Sequence, residues 1–170
     1  WNISSGGTIT SGGGNNDNTI TVTWNTSGSK NVSVRYNDTN GCSTSTPTTY
    51  PVTVNSLPVI TITGPATVCA NTAPRVYSTQ SGMSNYNWSF SGGGTITAGG
   101  GLNDNTITIL WDTPGAQTVS VNYTNGNGCE AAAPRTNTIT VHPDPVPNLN
   151  GPEIVCEGST GHVYETDPGM

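Results

Sequence analysis

Four cysteines, two histidines and a scatter of single carboxylates are the side chains here with the means to bind or react. Cys42, Cys69, Cys129 and Cys156 include no Cys-x-x-Cys pair, and only His142 and His162 accompany them. A structural zinc site needs four closely spaced N or S ligands, so zinc chemistry has too little to work with. Oxidised structural thiols in a secreted chain suit this set better. Asn16-Asp17-Asn18 and Asn103-Asp104-Asn105 could be read as calcium loops. Calcium takes six to eight oxygens with several carboxylates, and each loop has one Asp. These are better read as turns built from residues that tolerate tight backbone geometry. No metal and no cofactor is expected.

A nucleophilic triad needs a base that recurs wherever the site recurs. His142 stands among prolines, and the matching position in the other copy of the repeat described below is Asn55. Asp and Glu are scattered singly, which leaves no carboxylate pair for glycoside chemistry. An enzymatic role is not expected. Trp1, Trp24, Trp88 and Trp111 could serve as sugar-stacking platforms. Their parity with Ile and Val makes them core anchors instead. Glycosylation sequons start at Asn2, Asn25, Asn31, Asn37, Asn87 and Asn122.

What must position these residues is a polar, β-prone chain. Only 31% of its 170 residues are hydrophobic, so any core is thin, and at 8% charged it lacks the charge density of disordered chains. Thr, Val, Ile, Tyr and Trp are residues that fit a pleated, half-buried surface. A net charge of −6 with four Lys+Arg excludes nucleic acid and disfavours anionic membranes. No apolar run approaches the length that spans a bilayer, and the chain opens at Trp1 with no charged n-region or apolar h-region, so any secretion signal is expected to have been removed or to lie outside this window.

The chain repeats itself. Shifted by 87 positions, Trp1 falls on Trp88, Gly12–Gly14 on Gly99–Gly101, Trp24 on Trp111, Cys42 on Cys129 and Cys69 on Cys156, with 41 of 83 overlapping positions identical. Leu57-Pro58 and the Pro-rich run from His142 to Pro147 mark the boundaries, because Pro cannot continue a central strand. Residues 57–142 are then one complete repeat. Residues 1–56 match the later part of a repeat and residues 143–170 the first third of another, so a window on a longer array is expected.

Inside the complete copy, short alternating runs suggest seven strands. Val59–Thr63 reads as the first, Arg75–Thr79 as the second, and Tyr86, Trp88 and Phe90 share one face of the third. Thr95–Thr97 reads as a short fourth. Ile107/Ile109/Trp111, Val119/Val121/Tyr123 and Ile139/Val141 give the rest. Strands with one apolar face each are buried by packing two sheets face to face, so the expected fold is all-β, a tandem series of immunoglobulin-like sandwiches with almost no helix.

Tyr86-Asn87-Trp88-Ser89-Phe90, Ile107–Trp111, the Pro114-Gly115 turn before Thr118–Tyr123, Asn127-Gly128-Cys129 and Val68-Cys69 together resemble the PKD-like domain family. The resemblance is to the immunoglobulin-like tandem repeats of large Bacteroidetes cell-surface proteins, gliding-motility adhesins among them, and it covers the whole chain. One departure is Ser91-Gly92-Gly93-Gly94, where PKD domains usually carry an acidic turn. The resemblance implies a secreted, extracellular, non-enzymatic segment that extends as a stalk or adhesive fibre at the cell surface. Its partners would be neighbouring repeats and a surface polysaccharide. A carbohydrate-binding accessory module of a secreted enzyme, and a filament subunit in which residues 143–170 of one copy complete residues 1–56 of the next by strand addition, are the alternatives.

An immunoglobulin-like topology also bears on the thiols. It leaves open an intradomain Cys69–Cys129 bond and a staggered bond from the far pole of one domain to the entry pole of the next. Cys42–Cys69 fits it least. A first strand running pole to pole would hold Cys69 and Cys129 far beyond the roughly 7 Å reach of a disulfide.

Overall fold

The computed structural model describes residues 1–168, and among them there is no α-helix. Residues 1–56 form β1 (Asn2–Ile3), β2 (Gly7–Gly12), β3 (Ile20–Trp24), β4 (Gly28–Val34) and β5 (Thr48–Val54). The middle repeat forms β6 (Thr67–Cys69), β7 (Arg75–Ser78), β8 (Ser84–Phe90), β9 (Gly94–Gly99), β10 (Thr106–Trp111), β11 (Gly115–Thr124) and β12 (Arg135–His142). Two short strands follow, β13 (Leu149–Asn150) and β14 (Glu165–Thr166).

The middle repeat is a sandwich of two sheets, ordered β7-β10-β9 and β6-β12-β11-β8. All its pairs are antiparallel except β6 with β12, which run parallel with Val68 opposite Val141 and Cys69 opposite His142. In residues 1–56 the corresponding sheets are β2-β3 and β1-β4-β5. The copies share register down to a bulge: Ile9 faces Val22 and Ile96 faces Ile109, with a shift beside each pair. The expectation of tandem all-β sandwiches therefore holds.

Alternation makes the core. Ile107, Ile109 and Trp111 on β10, Val119, Val121 and Tyr123 on β11, and Ile139 and Val141 on β12 are all buried. Full burial of such a side chain is worth about 1.5–3 kcal/mol. Tyr77 and Phe90 meet the Trp111 ring edge-on, with centroids 6.3 and 6.1 Å away, and the Trp111 Nε1–H donates to the Tyr77 hydroxyl at 3.0 Å. A second cluster joins Ile60, Tyr86, Val121 and Tyr123. Burial pushes the Tyr77 phenol above its ordinary pKa and outweighs the Trp111 hydrogen bond, which pulls it down.

The first strand differs from the sequence reading. Val59–Thr63 is not a regular strand, and the only ladder contact it makes is a bridge between Thr63 and Ser78. Gly64-Pro65 diverts the chain there from the β7 sheet to the β12 sheet, so the first-strand role is split across the sandwich. The extended lead-in is held by Gln80, which accepts from the Thr61 amide and donates to the Val59 carbonyl and the Thr61 hydroxyl. The fourth strand is longer than expected, running Gly94–Gly99.

Candidate functional site

The topology separates the thiols. Cys69 lies opposite His142 at the C-terminal end of β12, while Cys129 lies in the turn before β12 begins at Arg135. About seven steps of roughly 3.3 Å part them, well over 20 Å, against the roughly 7 Å a disulfide spans. This corrects the intradomain pairing. All four cysteines are free thiols in the structure, with Cys42, Cys69 and Cys156 exposed and Cys129 half-buried.

The two asparagine-flanked turns spend their one carboxylate on themselves. Asp17 Oδ2 accepts from the Gly14 amide at 2.8 Å, and Asp104 Oδ2 from the Gly101 amide at 2.9 Å. The indole N–H of Trp1 donates to the Asp17 carbonyl at 2.9 Å, and that of Trp88 to the Asp104 carbonyl at 2.8 Å. Each of these tryptophans thus pins a strand to a turn, with its ring half-buried beneath. Trp111 is fully buried, and its counterpart Trp24 is half-buried. Among the described residues no three of His, Cys, Asp and Glu gather as metal ligands would.

His142 is exposed at the end of β12. His162 Nε2 lies 2.6 Å from Ser159 Oγ, a contact that in an enzyme would activate a nucleophile. Here the serine hydroxyl donates its hydrogen bond to the Cys156 carbonyl at 2.6 Å, so the imidazole faces a hydroxyl oxygen rather than a proton to remove. The matching pair in the middle repeat is Thr72 and Arg75. Asn122, at one of the sequons, is buried and donates to Glu130 Oε1 and the Ala131 carbonyl, so it is closed to a glycan in the fold.

A turn that sequence reasoning passed over is shared by both copies. Asn125 Oδ1 accepts from the Asn127 and Cys129 amides at 3.0 Å each, and Asp38 Oδ1 does the same for the Asn40 and Cys42 amides at 2.9 and 2.8 Å. Only an oxygen is needed, which either residue supplies. The bond from the Cys42 amide is the main reason the Asp38 carboxyl is held below its ordinary value of 3.8, with smaller help from Asn40 against desolvation. A lowered folded-state pKa means the order this turn gains from ionisation is present above 3.8 and lost as pH falls through the lower value. In a pH titration by NMR, the Asn40 and Cys42 amide shifts are expected to move with a midpoint below 3.8, while those of Asn127 and Cys129 stay flat.

Two concavities lie on residues 1–56. A groove of about 780 Å³ runs beside Trp1, Asp17, Val34 and Tyr36, and a smaller one of about 420 Å³ lies between Trp24, Val54 and Leu57. In the middle repeat the matching places are filled. Tyr86 packs against Val121 and Tyr123 in the first, and Ala70 and Asn71 donate their amides to the His142 and Trp111 carbonyls in the second.

Two facing sheets, a parallel first-to-last strand pair and turns at two poles define an immunoglobulin-like β-sandwich repeat. The chain belongs to the PKD-like domain family, whose model matches residues 1–52 and again 55–139. No curated protein matches the chain. Among solved structures it is similar to domains 4 and 5 of the S-layer protein SbsC, at 17% identity over 72% of this chain and 70% of that one, with a TM-score of 0.35. It is also similar to domains 4–9 of the same protein, at 16% identity over 79% of this chain and 21% of that one, with a TM-score of 0.37.

Proposed function

We propose that this chain is a stretch of an extracellular rod, secreted and displayed at a cell surface, whose repeats set length and present an adhesive exterior without catalysing a reaction. The observation that carries this reading is where the middle repeat is entered and left. The Ser56 carbonyl accepts from the Asn125 side chain in the β11–β12 turn, and Asn71 beyond β6 donates to Asp144 just past β12, each at 3.3 Å. Those joints are a sandwich length apart, so each repeat adds length rather than folding back on its neighbour. The placement of exposed Cys69 and half-buried Cys129 at opposite poles supports a staggered bond, Cys69 pairing with the counterpart of Cys129 in the following repeat.

Adhesion to a surface polysaccharide would draw on the Thr- and Asn-rich exterior. The exposed Tyr36 and Tyr50 do not form a repeated sugar platform, since their counterparts are the buried Tyr123 and a half-buried, non-aromatic Asn137. Small-angle scattering from arrays of one to four copies of residues 57–142 tests the rod. The maximum dimension is expected to rise linearly by roughly 35 Å per copy, the length of a ten-residue strand plus its turn. Growth that flattens after two copies sinks the reading.

A further inference from the structure

We infer that β9 is a self-complementary edge: two copies of this chain pair antiparallel through Gly94-Thr95-Ile96 of the middle repeat, and through the matching Gly7-Thr8-Ile9 of β2, which joins rods side by side. This adds a lateral partner to the rod proposed above and rests on that reading for the number of contacts each chain can make.

The strand is open along one side. β9 is the last strand of the β7-β10-β9 sheet, β2 pairs with β3 alone, and Thr95–Gly99 and Thr8–Gly12 are exposed throughout. Ile96 is 45% exposed although it lies opposite the buried Ile109, on the core side of its sheet, so the sandwich does not close over this rim. Ile9, opposite Val22, is 41% exposed. The complete repeat thus shows the same open rim as the other copy, which makes the rim a property of the repeat fold itself.

Both copies keep this surface. Gly93 to Thr97 read Gly-Gly-Thr-Ile-Thr, and so do Gly6 to Thr10. On the outer face of the larger sheet the copies diverge: Asn31 stands for Thr118, Arg35 for Asn122 and Pro51 for Thr138. Core packing accounts for Gly7 and Gly94, where a Cβ would press on the Trp24 or Trp111 ring. It does not account for the exposed Thr and Ile that follow. Sheet edges are commonly blunted by charge or proline, and neither occurs in Ser4–Gly14 or Ser91–Gly101.

Alternation decides which main-chain groups are free. The Gly93 carbonyl accepts from the Asp112 and Thr113 amides at 3.1 and 3.2 Å, so Gly93 points at β10, and Thr95 two residues on does the same. Gly94 and Ile96 therefore turn their N–H and C=O outward. The Gly6 carbonyl takes the Asn25 and Thr26 amides in the same way, at 2.7 and 3.2 Å, which leaves Gly7 and Ile9 outward. A bulge follows Ile96: Ala98 pairs with Thr108, and Thr97 is left over with its hydroxyl on the Thr108 carbonyl at 3.4 Å. Ending the regular strand there limits addition to three residues and fixes its register.

Those three residues are symmetric for an antiparallel partner. Gly94 would face Ile96 of the second copy, and Ile96 its Gly94, each pair exchanging both N–H···O bonds, with Thr95 facing Thr95 on a two-fold axis. The Ile96 side chain then lies over a glycine with no Cβ to block it, and the two threonines form a cross-strand pair. Although the chain carries a net charge of −6, identical uncharged edges meet without local repulsion. The occupant is a second copy because the edge recurs after 87 residues. A partner that engages both edges at once must carry strands at the same spacing, and each added repeat then strengthens the whole contact.

Sedimentation equilibrium of the 170-residue chain, from about 10 to about 500 µM, is expected to show reversible association beyond 17.5 kDa. Hydrogen exchange over the same range reads the site itself. The Gly94 and Ile96 amides should slow by at least about tenfold, while the Thr95 amide, already bonded to β10, should not change. The double variant Ile9→Lys/Ile96→Lys, made at two exposed residues, should remove both the association and the slowing without shifting the melting of the middle repeat. Leu102→Lys, at a 66% exposed apolar residue off the edge, should remove neither. Association that survives the double variant, amides of Gly94 and Ile96 that exchange alike at both concentrations, or a 17.5 kDa species throughout overturns the proposal. Arrays of residues 57–142 that lengthen but never pair sink the lateral contact alone, whereas arrays that fail to lengthen sink the rod and leave the edge to be decided by its amides.

Discussion

Replacing Trp111 by alanine is expected to cost the middle repeat about 3–5 kcal/mol, enough to leave a domain of ordinary marginal stability largely unfolded. The residue is 1% exposed, both its aromatic neighbours meet it edge-on, and its removal leaves the buried Tyr77 hydroxyl without its donor. Trp24→Ala removes the same side chain from the matching place in residues 1–56, where it is only half-buried, and should cost markedly less. Urea unfolding of the two variants, followed through the remaining tryptophans, checks both. Equal losses would show that burial is not what separates the two copies.

Gly99→Val should destabilise the middle repeat by about 2–4 kcal/mol for two independent reasons. Its φ of +66° lies in the left-handed region that a β-branched residue avoids, and a Cβ there would run into the Thr106 carbonyl of the paired strand. Backbone cannot swing aside as a side chain can. Gly12 repeats the situation, with φ of +69° against the Thr19 carbonyl. Gly82, at +75° but with open space around it, provides the contrast: alanine there carries the dihedral strain alone, about 1 kcal/mol. Thermal melts of the Gly99 and Gly82 variants separate strain from collision.

Much of this architecture could be read from the residues. Alternation along Ile107–Trp111 and Val119–Tyr123 shows in the sequence because each strand has one wet face and one dry one. The 87-residue shift shows because both copies need the same glycines and tryptophans. What could not be read was anything depending on which sheet a strand joins. Val59–Thr63 alternates like a strand, yet a side chain of Gln80 supplies most of its pairing, and nothing local announces that. The thiol geometry was open for the same reason, as it turns on β6 lying parallel to β12 rather than on spacing. The cap shared by Asp38 and Asn125 escaped because the two letters differ while the accepting oxygen is the same.

That parallel pairing of β6 with β12 also decides how a repeat carries tension. The two strands lie nearest the entry and the exit of the sandwich and point the same way, so pulling on the joints slides one along the other. The rungs from Thr67–Thr140 to Cys69–His142 then share the load and must give together, unlike an antiparallel hairpin peeled from its open end one rung at a time. Mechanical strength in such a repeat would therefore reside in the three rungs that end at Cys69, and a covalent clasp at that same edge would take up force before the ladder felt it.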